Sequence, residues 1–328
     1  MKNKKMLLVV GLIIIIGILS VMIPKFMKQQ NTVKNDQVKV GVLQFVTHPA
    51  LDEIYAGIKE GLADEGYAKA KINFYNAQAD QSKVTTMSSQ LVDQKNNVLI
   101  GIATPSAQGL VNATSDIPVI MGAVSDPVGA KLIKNVKKPE GNITGVSDKF
   151  PVDKEIELIK SLTPNVKKIG VLYSSSEDNS KSQVAEFKKE AAEKGLEVSE
   201  YAVSSTNDVT TIVNVALSKE DAIYVPVDNT IASAFSTVIA LSNAAKKPVF
   251  PSVDTMVAQG GLAAVTINQH DLGVATGKMA AQVLKGKKVS ELPVEFYNTT
   301  TPVANKDTAK LLGITIPEKY KEVAVEKK

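Results

Sequence analysis

Apolar and polar positions divide most of the chain into short apolar segments and longer amphipathic ones. Residues 38–43 and 97–103 are mainly valine, isoleucine and leucine, as is typical of parallel strands buried on both faces. Residues 51–65 and 184–194 have apolar positions three and four apart with charges between them, which predicts amphipathic helices. The alternation of the two kinds of segment predicts an α/β fold with parallel sheets.

This pattern occurs twice in the same order. The strand around Gly41 has a counterpart around Gly170, and the Pro-Val segment at Pro118 has one at Pro248. The two landmarks lie 77 residues apart in the first half and 78 residues apart in the second. We therefore predict two doubly wound parallel-sheet lobes with the same topology.

The residues after the second copy exceed what one lobe needs. They predict further strands and helices, so we expect the chain to cross between the lobes three times, near residues 142–150, 268–270 and 292–297. Several crossings make a hinge, and a hinge between two lobes leaves a cleft. The predicted division is 1–37 for a signal-anchor helix and linker, 38–146 with 269–291 for lobe 1, and 147–268 with 292–328 for lobe 2.

The first 37 residues differ from the rest of the chain. A basic start is followed by eighteen uncharged residues at 6–23, and no small-residue cleavage site comes after them. This pattern predicts an uncleaved apolar signal-anchor helix, with its basic end in the cytoplasm and the lobes on the extracytoplasmic face of the cell membrane. A cleaved signal peptide is the alternative.

Charge and cysteine content exclude several classes of function. Residues 1–37 contain six lysines and one acid, a net +5, so the formal charge of +4 leaves −1 for the rest. The body therefore has no basic surplus that would favour nucleic acid. Every lysine-or-arginine position is lysine, and there is no cysteine, which excludes disulfides, Cys–zinc sites and a lipid-modified cysteine anchor.

Enzyme motifs are also missing. No G-x-G-x-x-G or G-x-S-x-G segment occurs, and the two histidines, His48 and His270, are not spaced as metal ligands. The segment Gly273–Lys278 is similar to a P-loop but has one residue too few between its glycines. It lies in a helical pattern, so we interpret it as helix packing. We predict no enzyme activity, no cofactor and no metal.

Polar side chains cluster where the predicted strands end. Open α/β sheets bind ligands at the carboxyl ends of their strands, and hydroxyls, amides and single carboxylates can fix a small polar solute there. The alternative for each residue is an ordinary helix N-cap. The candidate ligand-binding residues are Gln44, Thr47, His48, Thr104, Ser106, Ser125 and Asp126 in the first lobe, and Ser174, Ser175, Asn179, Asp228, Asn229 and Asp254 in the second.

Several motifs in one order resemble a known family, the ABC transporter substrate-binding proteins. They are the segments 119–129, 138–145, 223–229, 260–263 and 312–317. The resemblance covers about residues 38–320. It implies a type I periplasmic-binding-protein fold with a three-crossover hinge, and some members bind aromatic amino acids such as tryptophan. It also implies an ABC permease and its ATPase as partners.

The resemblance further implies roles for the candidate residues. Thr104, Ser106 and Ser125 would hold the α-carboxylate of an amino acid. Asp254, helped by Asp228, would pair with the α-ammonium group. The remaining residues of the first strand end, Gln44, Thr47 and His48, would lie beside the ligand side chain.

These expectations describe the extracytoplasmic binding component of an ABC importer, which closes on an amino acid and delivers it to a membrane permease. One alternative is a sensory receptor of the same fold that signals to a membrane partner. The other is an enzyme on the same scaffold, which the missing catalytic motifs disfavour.

Overall fold

The first lobe has a six-stranded parallel sheet: its first five strands lie in the order β2-β1-β3-β4-β5, and a short strand from later in the chain pairs with β5. The computed structural model describes residues 38–318 and 320–323. The order reverses between β1 and β3, which is where doubly wound sheets bind ligands. The elements are β1 (Lys39–Gln44), α1 (Pro49–Leu62), β2 (Lys71–Asn76), α2 (Gln81–Asp93), β3 (Val98–Ile102), α3 (Thr104–Ala113), β4 (Val119–Gly122) and β5 (Ile143–Ser147).

The second lobe repeats this arrangement. Its parallel sheet has the order β7-β6-β8-β9, so the predicted duplication is confirmed. Its elements are α4 (Val152–Leu162), β6 (Lys168–Ser174), α5 (Asp178–Glu193), β7 (Glu197–Val203), α6 (Val209–Lys219), β8 (Ala222–Val225), α7 (Asn229–Ser233), α8 (Phe235–Ala245), β9 (Val249–Pro251) and α9 (Asp254–Ala258).

The remaining elements return the chain to both lobes. They are β10 (Ala263–Ile267), α10 (Gln269–Leu284), β11 (Glu295–Phe296), β12 (Thr300–Asn305), α11 (Lys306–Leu312) and β13 (Lys321–Val323). α10 packs on α1 and β11 pairs with β5, whereas β12 pairs with β10. The chain therefore passes between the lobes at 148–151, at Asn268 and at 297–299. We propose that lobe 1 extends to Phe296, beyond the expected boundary at 291.

The described helices, those within 38–318 and 320–323, include no segment that is long and apolar enough to cross a membrane. The predicted signal anchor, residues 1–37, lies outside the described residues.

Glycines bring α1 and α10 into unusually close contact. A Cβ atom on Gly57 would lie 2.1 Å from the carbonyl oxygen of His270, and one on Gly273 would lie 2.2 Å from that of Ile54. Such separations are far below van der Waals contact, so the two backbones touch directly. Gly277 approaches Ile58 in the same way, at 2.4 Å. The P-loop-like glycines are therefore helix-packing residues, as interpreted from the sequence.

We predict that Gly273→Ala destabilises the protein. Alanine in a helix interior normally stabilises by about 0.5–1 kcal/mol relative to glycine. Here the added methyl group forces α10 away from α1, and overpacking of this kind costs about 1–3 kcal/mol. Urea unfolding should show a lower midpoint, whereas a higher midpoint would mean that the helices can accommodate the side chain.

Candidate functional site

A cavity lies between the lobes at the carboxyl ends of the parallel strands. Its lining combines polar groups with apolar walls. Its residues are His48, Ala50, Leu51, Ala123, Asp148 and Gln269 from lobe 1 and the connections, and Asn179, Val227, Asp228, Asn229, Ala232, Val253 and Met256 from lobe 2. Four of the thirteen candidate residues, His48, Asn179, Asp228 and Asn229, therefore meet around one cavity.

Hydrogen bonds hold the two lobes together across the cleft. His48 Nε2 lies 3.2 Å from Asn229 Oδ1 in the cavity wall. At the rim, the Ser182 hydroxyl donates to Asp126 Oδ2 at 2.5 Å, and Gln108 Nε2 donates to Asp178 Oδ2 at 3.1 Å. Because each bond joins one lobe to the other, the structure shows the lobes closed.

His48 is buried at the start of α1, where it occupies the N-cap position. Burial lowers the pKa of its imidazole to about 4, although the hydrogen bond to Asn229 and the charge of Asp52 favour the protonated form. The ring is therefore neutral at pH 7. Since Asn229 Oδ1 can only accept, the proton belongs on Nε2 in this arrangement.

Three candidates in lobe 1 carry buried polar atoms without a hydrogen-bond partner in the structure: Gln44 Oε1, Thr104 Oγ1 and Ser106 Oγ. The amide nitrogen of Gln44 is satisfied, because Nε2 donates to Val46 O and to Asp52 Oδ1. Thr104 and Ser106 lie in the first turn of α3, at the sheet's switch point. None of the three lines the closed cavity, so the structure does not bring them to the four residues above.

Asp228 is held by lobe 2 itself. Its Oδ1 accepts from the N–H of Ile231 at 2.8 Å, and its Oδ2 accepts from the N–H of Ser174 at 2.6 Å and the hydroxyl of Ser180 at 2.7 Å. Burial, together with the charge of Glu177, raises the pKa of Asp228. Asp228 thus caps α7 and ties it to β6, which supports the N-cap alternative.

A second buried acid, Glu177, organises the cavity wall and was missed by the strand-end argument. It accepts from Asn229 Nδ2 at 2.6 Å, and from the N–H and hydroxyl of Thr230, both at 2.8 Å. Asn179 Nδ2 donates to Val227 O, while its Oδ1 has no partner. Glu177 therefore orients Asn229, and Asn179 presents an open acceptor.

Other candidates lie away from the cavity lining. Thr47 is exposed and accepts from Asn76 Nδ2, and Ser175 is exposed and donates to Val203 O. Asp126 belongs to the rim contact with Ser182 described above. These positions do not join the central group.

Asp254 is partly exposed and is the first residue of α9, where its Oδ1 accepts from the N–H of Thr255 at 2.8 Å. Burial raises its pKa, and its charge in turn helps to raise the pKa of Glu53 in lobe 1. Asp254 is thus close to the cleft but outside the cavity lining, which its neighbours Val253 and Met256 reach.

Asp148 is the acid that the sequence argument should have included. It directly follows β5, is 1% exposed and lines the cavity, and its Oδ1 accepts from the hydroxyl of Ser125 at 3.0 Å. Burial raises its pKa to about 6. The strand-end rule applies to β5 as well, because the segment that crosses between the lobes begins at the end of this strand.

We predict that Asp228→Ala lowers stability much more than Asp254→Ala. Removing the Asp228 carboxylate leaves the buried N–H groups of Ser174 and Ile231 without acceptors, at a cost of about 2–4 kcal/mol. Asp254→Ala removes one hydrogen bond of a partly exposed side chain and should cost about 1 kcal/mol or less. Denaturant unfolding of both variants checks this, and equal losses would contradict the structural role of Asp228.

Comparison with known proteins gives a consistent result. A protein of Clostridioides difficile (strain R20291) named tyrosine-binding protein is 40% identical over 290 residues, which cover 88% of this chain and 84% of that protein. An ABC domain from Streptococcus pneumonia, solved in complex with L-Trp, is 58% identical, with a TM-score of 0.86 over 88% of this chain and 99% of that one.

A third relative differs in conformation. It is a ligand-free, open substrate-binding protein from Clostridium difficile that is 38% identical, with a TM-score of 0.66 over 88% of this chain and 100% of that one. The lower score agrees with the closed cleft described above. The family described as ABC transporter substrate binding protein matches residues 39–328. The chain belongs to this family of ABC transporter substrate-binding proteins.

Proposed function

We propose that this protein binds an aromatic amino acid, such as tryptophan or tyrosine, between its lobes and delivers it to an ABC permease. The observation that carries the proposal is the cavity enclosed by the two lobes, with polar and apolar walls, in a chain 58% identical to a protein solved with L-Trp. The name of the 40% identical relative, tyrosine-binding protein, points to the same ligand class.

The walls of the cavity suit a ligand that is polar at one end and apolar at the other. Leu51, Val227, Val253 and Met256 give it an apolar side, and a methionine sulfur contacts aromatic rings favourably. The open acceptor of Asn179 and the carboxylate of Asp148 supply polar groups. Pockets of this mixed kind fix small molecules by a few placed polar contacts.

The carboxylate end of the ligand must be held without arginine, because the chain contains none. Hydroxyl groups and backbone N–H groups at helix N-termini can perform this task. Thr104 and Ser106 remain our candidates, since both lie in the first turn of α3 and have buried hydroxyl oxygens without a partner. Neither residue lines the closed cavity, so contact with the ligand would require the cavity to extend toward α3.

Hinge closure would couple binding to delivery. The chain passes between the lobes at three connections, and hydrogen bonds across the cleft join the lobes in the closed form. A ligand that contacts both lobes favours that form. We further propose that residues 1–37 hold the lobes at the extracytoplasmic face of the membrane, where an ABC permease and its ATPase would receive the ligand.

The protein should be stabilised by aromatic amino acids in thermal unfolding. A ligand at 100 times its dissociation constant adds about 2.7 kcal/mol to the free energy of unfolding. We expect L-tryptophan or L-tyrosine to raise the midpoint, with glycine, L-glutamate and glucose as negative controls. If a sugar raises the midpoint and no aromatic amino acid does, the proposed ligand class is wrong.

Closure can be tested at the rim with Ser182→Ala. This change removes a hydrogen bond that exists only when the lobes are closed, so it lowers the population of the binding-competent form. We expect affinity for the amino acid to fall about 3- to 10-fold, the effect of one such bond. Ser204→Ala is the matched control, because Ser204 bonds to Asp208 within lobe 2. Isothermal titration calorimetry measures the affinities. If Ser182→Ala binds the amino acid as tightly as the unmodified protein does, the rim bond does not contribute to closure.

A further inference from the structure

An amino acid carries an ammonium group, and its burial requires a carboxylate with accepting capacity to spare. Asp126 and Asp178 form the rim bonds, and Asp52 and Glu53 are exposed on α1. Four further acids lie in or beside the cleft: Asp148, Glu177, Asp228 and Asp254. The family resemblance pointed to Asp254 and Asp228 for this role. Their hydrogen bonds and positions distinguish between the four.

Two of the acids are already occupied by donors of lobe 2. Glu177 accepts from Asn229 and Thr230 through both of its oxygens. Asp228 likewise accepts through both oxygens, from two backbone N–H groups and the hydroxyl of Ser180. Glu177 accepts four hydrogen bonds and so has no acceptor site to spare. Asp228 lines the cavity, but three donors already stabilise its carboxylate, so a ligand cation would gain less there than at a carboxylate with fewer donors. These two carboxylates are therefore structural.

Asp254 is available but poorly placed. It is partly exposed, it does not line the cavity, and its Oδ1 accepts from the N–H of Thr255 in the first turn of α9. Partial burial raises the pKa of Glu53 in lobe 1, and the charge of Asp254 raises it further, so the two acids lie near each other. A ligand cation at Asp254 would therefore lie at the edge of the cleft, where water weakens the ion pair.

Asp148 differs from the other three acids. It is buried and lines the cavity, and its Oδ1 accepts a hydrogen bond from the hydroxyl of Ser125. Across residues 38–318 and 320–323, no lysine or histidine forms an ion pair with it. Burial raises the pKa of Asp148 to about 6. A cation bound beside the carboxylate would lower this pKa again.

We infer that Asp148, positioned by Ser125, binds the α-ammonium group of the amino acid ligand. This inference rests on the proposed function and names the residue that selects for an amino group. It also moves Ser125 from the carboxylate end of the ligand to the ammonium end. The α-carboxylate must then point away from Asp148, because two carboxylates in contact repel each other.

The location of Asp148 connects ligand recognition to the hinge. The residue lies on the first connection between the lobes, between the end of β5 and the start of α4. Ser125 follows β4, and the facing residues Asn179 and Asn229 belong to lobe 2. An ammonium group bound to Asp148 would therefore lie at the first connection between the lobes.

The test compares Asp148→Asn with the matched variant Asp254→Asn in the full-length protein, purified in mild detergent. Isothermal titration calorimetry measures L-tryptophan, L-tyrosine and 3-(indol-3-yl)propanoate, which lacks the amino group. We expect Asp148→Asn to weaken binding of the amino acid by about 30- to 1,000-fold, as for loss of a buried charge pair. Binding of the amine-free analogue should change less than 3-fold, and Asp254→Asn should have a similarly small effect on all three ligands, about the size of a surface pair.

Each other outcome has a distinct meaning. If the unmodified protein binds neither amino acid, the proposed function fails, and this inference fails with it. If it binds one of them and Asp148→Asn binds equally well, only the Asp148 assignment is overturned. Equal losses for the amino acid and the amine-free analogue would show a structural role for Asp148 instead.

A second variant covers the case in which Asp148→Asn does not fold. Ser125→Ala removes the hydroxyl that holds the Asp148 carboxylate but leaves its charge. We expect a selective loss of about 3- to 10-fold for the amino acid over the amine-free analogue, the effect of one hydrogen bond. Unchanged selectivity would overturn the assignment.

Discussion

The contact between α1 and α10 is the constraint on which the two-lobed arrangement depends. Gly57 and Gly273 let the two helix backbones touch, at distances that exclude any side chain. α10 comes after all four strands of the second lobe's β7-β6-β8-β9 sheet, yet this contact makes it part of the first lobe. The chain must therefore cross back at Asn268, and the crossing brings the N-terminus of α10 beside that of α1. His48 and Gln269, which precede and begin these helices, consequently share the cavity.

The cavity also depends on how buried polar groups are satisfied. A buried polar group without a partner costs about 1–3 kcal/mol, so a stable lobe satisfies most of its own. Lobe 2 does this with Glu177 and Asp228, which between them receive donors from α7, β6 and α5. Asn179 Oδ1 and Ser106 Oγ are exceptions, because both atoms are buried and have no hydrogen-bond partner. Unsatisfied buried groups near the end of a sheet are what a binding site requires, because a ligand can supply the missing partners.

Much of the fold was predictable because duplication and buried parallel strands both leave strong patterns in the sequence. The site was less predictable, because the strand-end rule gives a residue's position but not its direction. Adjacent residues in extended chain point to opposite sides, so the side chain of Ser174 is buried beside the Ser176 hydroxyl whereas Ser175 is exposed. Asp148 was missed because one segment serves both as a strand end and as a crossing. Its signal was the acid directly after an apolar strand.

The distribution of charge in the closed cleft limits the kind of ligand that can stabilise it. Burial raises the pKa values of Asp148 and Asp228 and lowers that of His48, so in each case the surroundings oppose the charged form. Three hydrogen-bond donors offset the cost of burying the Asp228 carboxylate. Asp148 accepts instead from the hydroxyl of Ser125. A ligand that brings a positive charge to Asp148 relieves this cost in the closed form. When the cleft opens, water can solvate the carboxylate instead, so the gain from the ligand is larger in the closed form. Differential stabilisation of this kind shifts a conformational equilibrium. The amino group of the ligand would therefore favour closure more than an apolar ligand side chain of equal contact area.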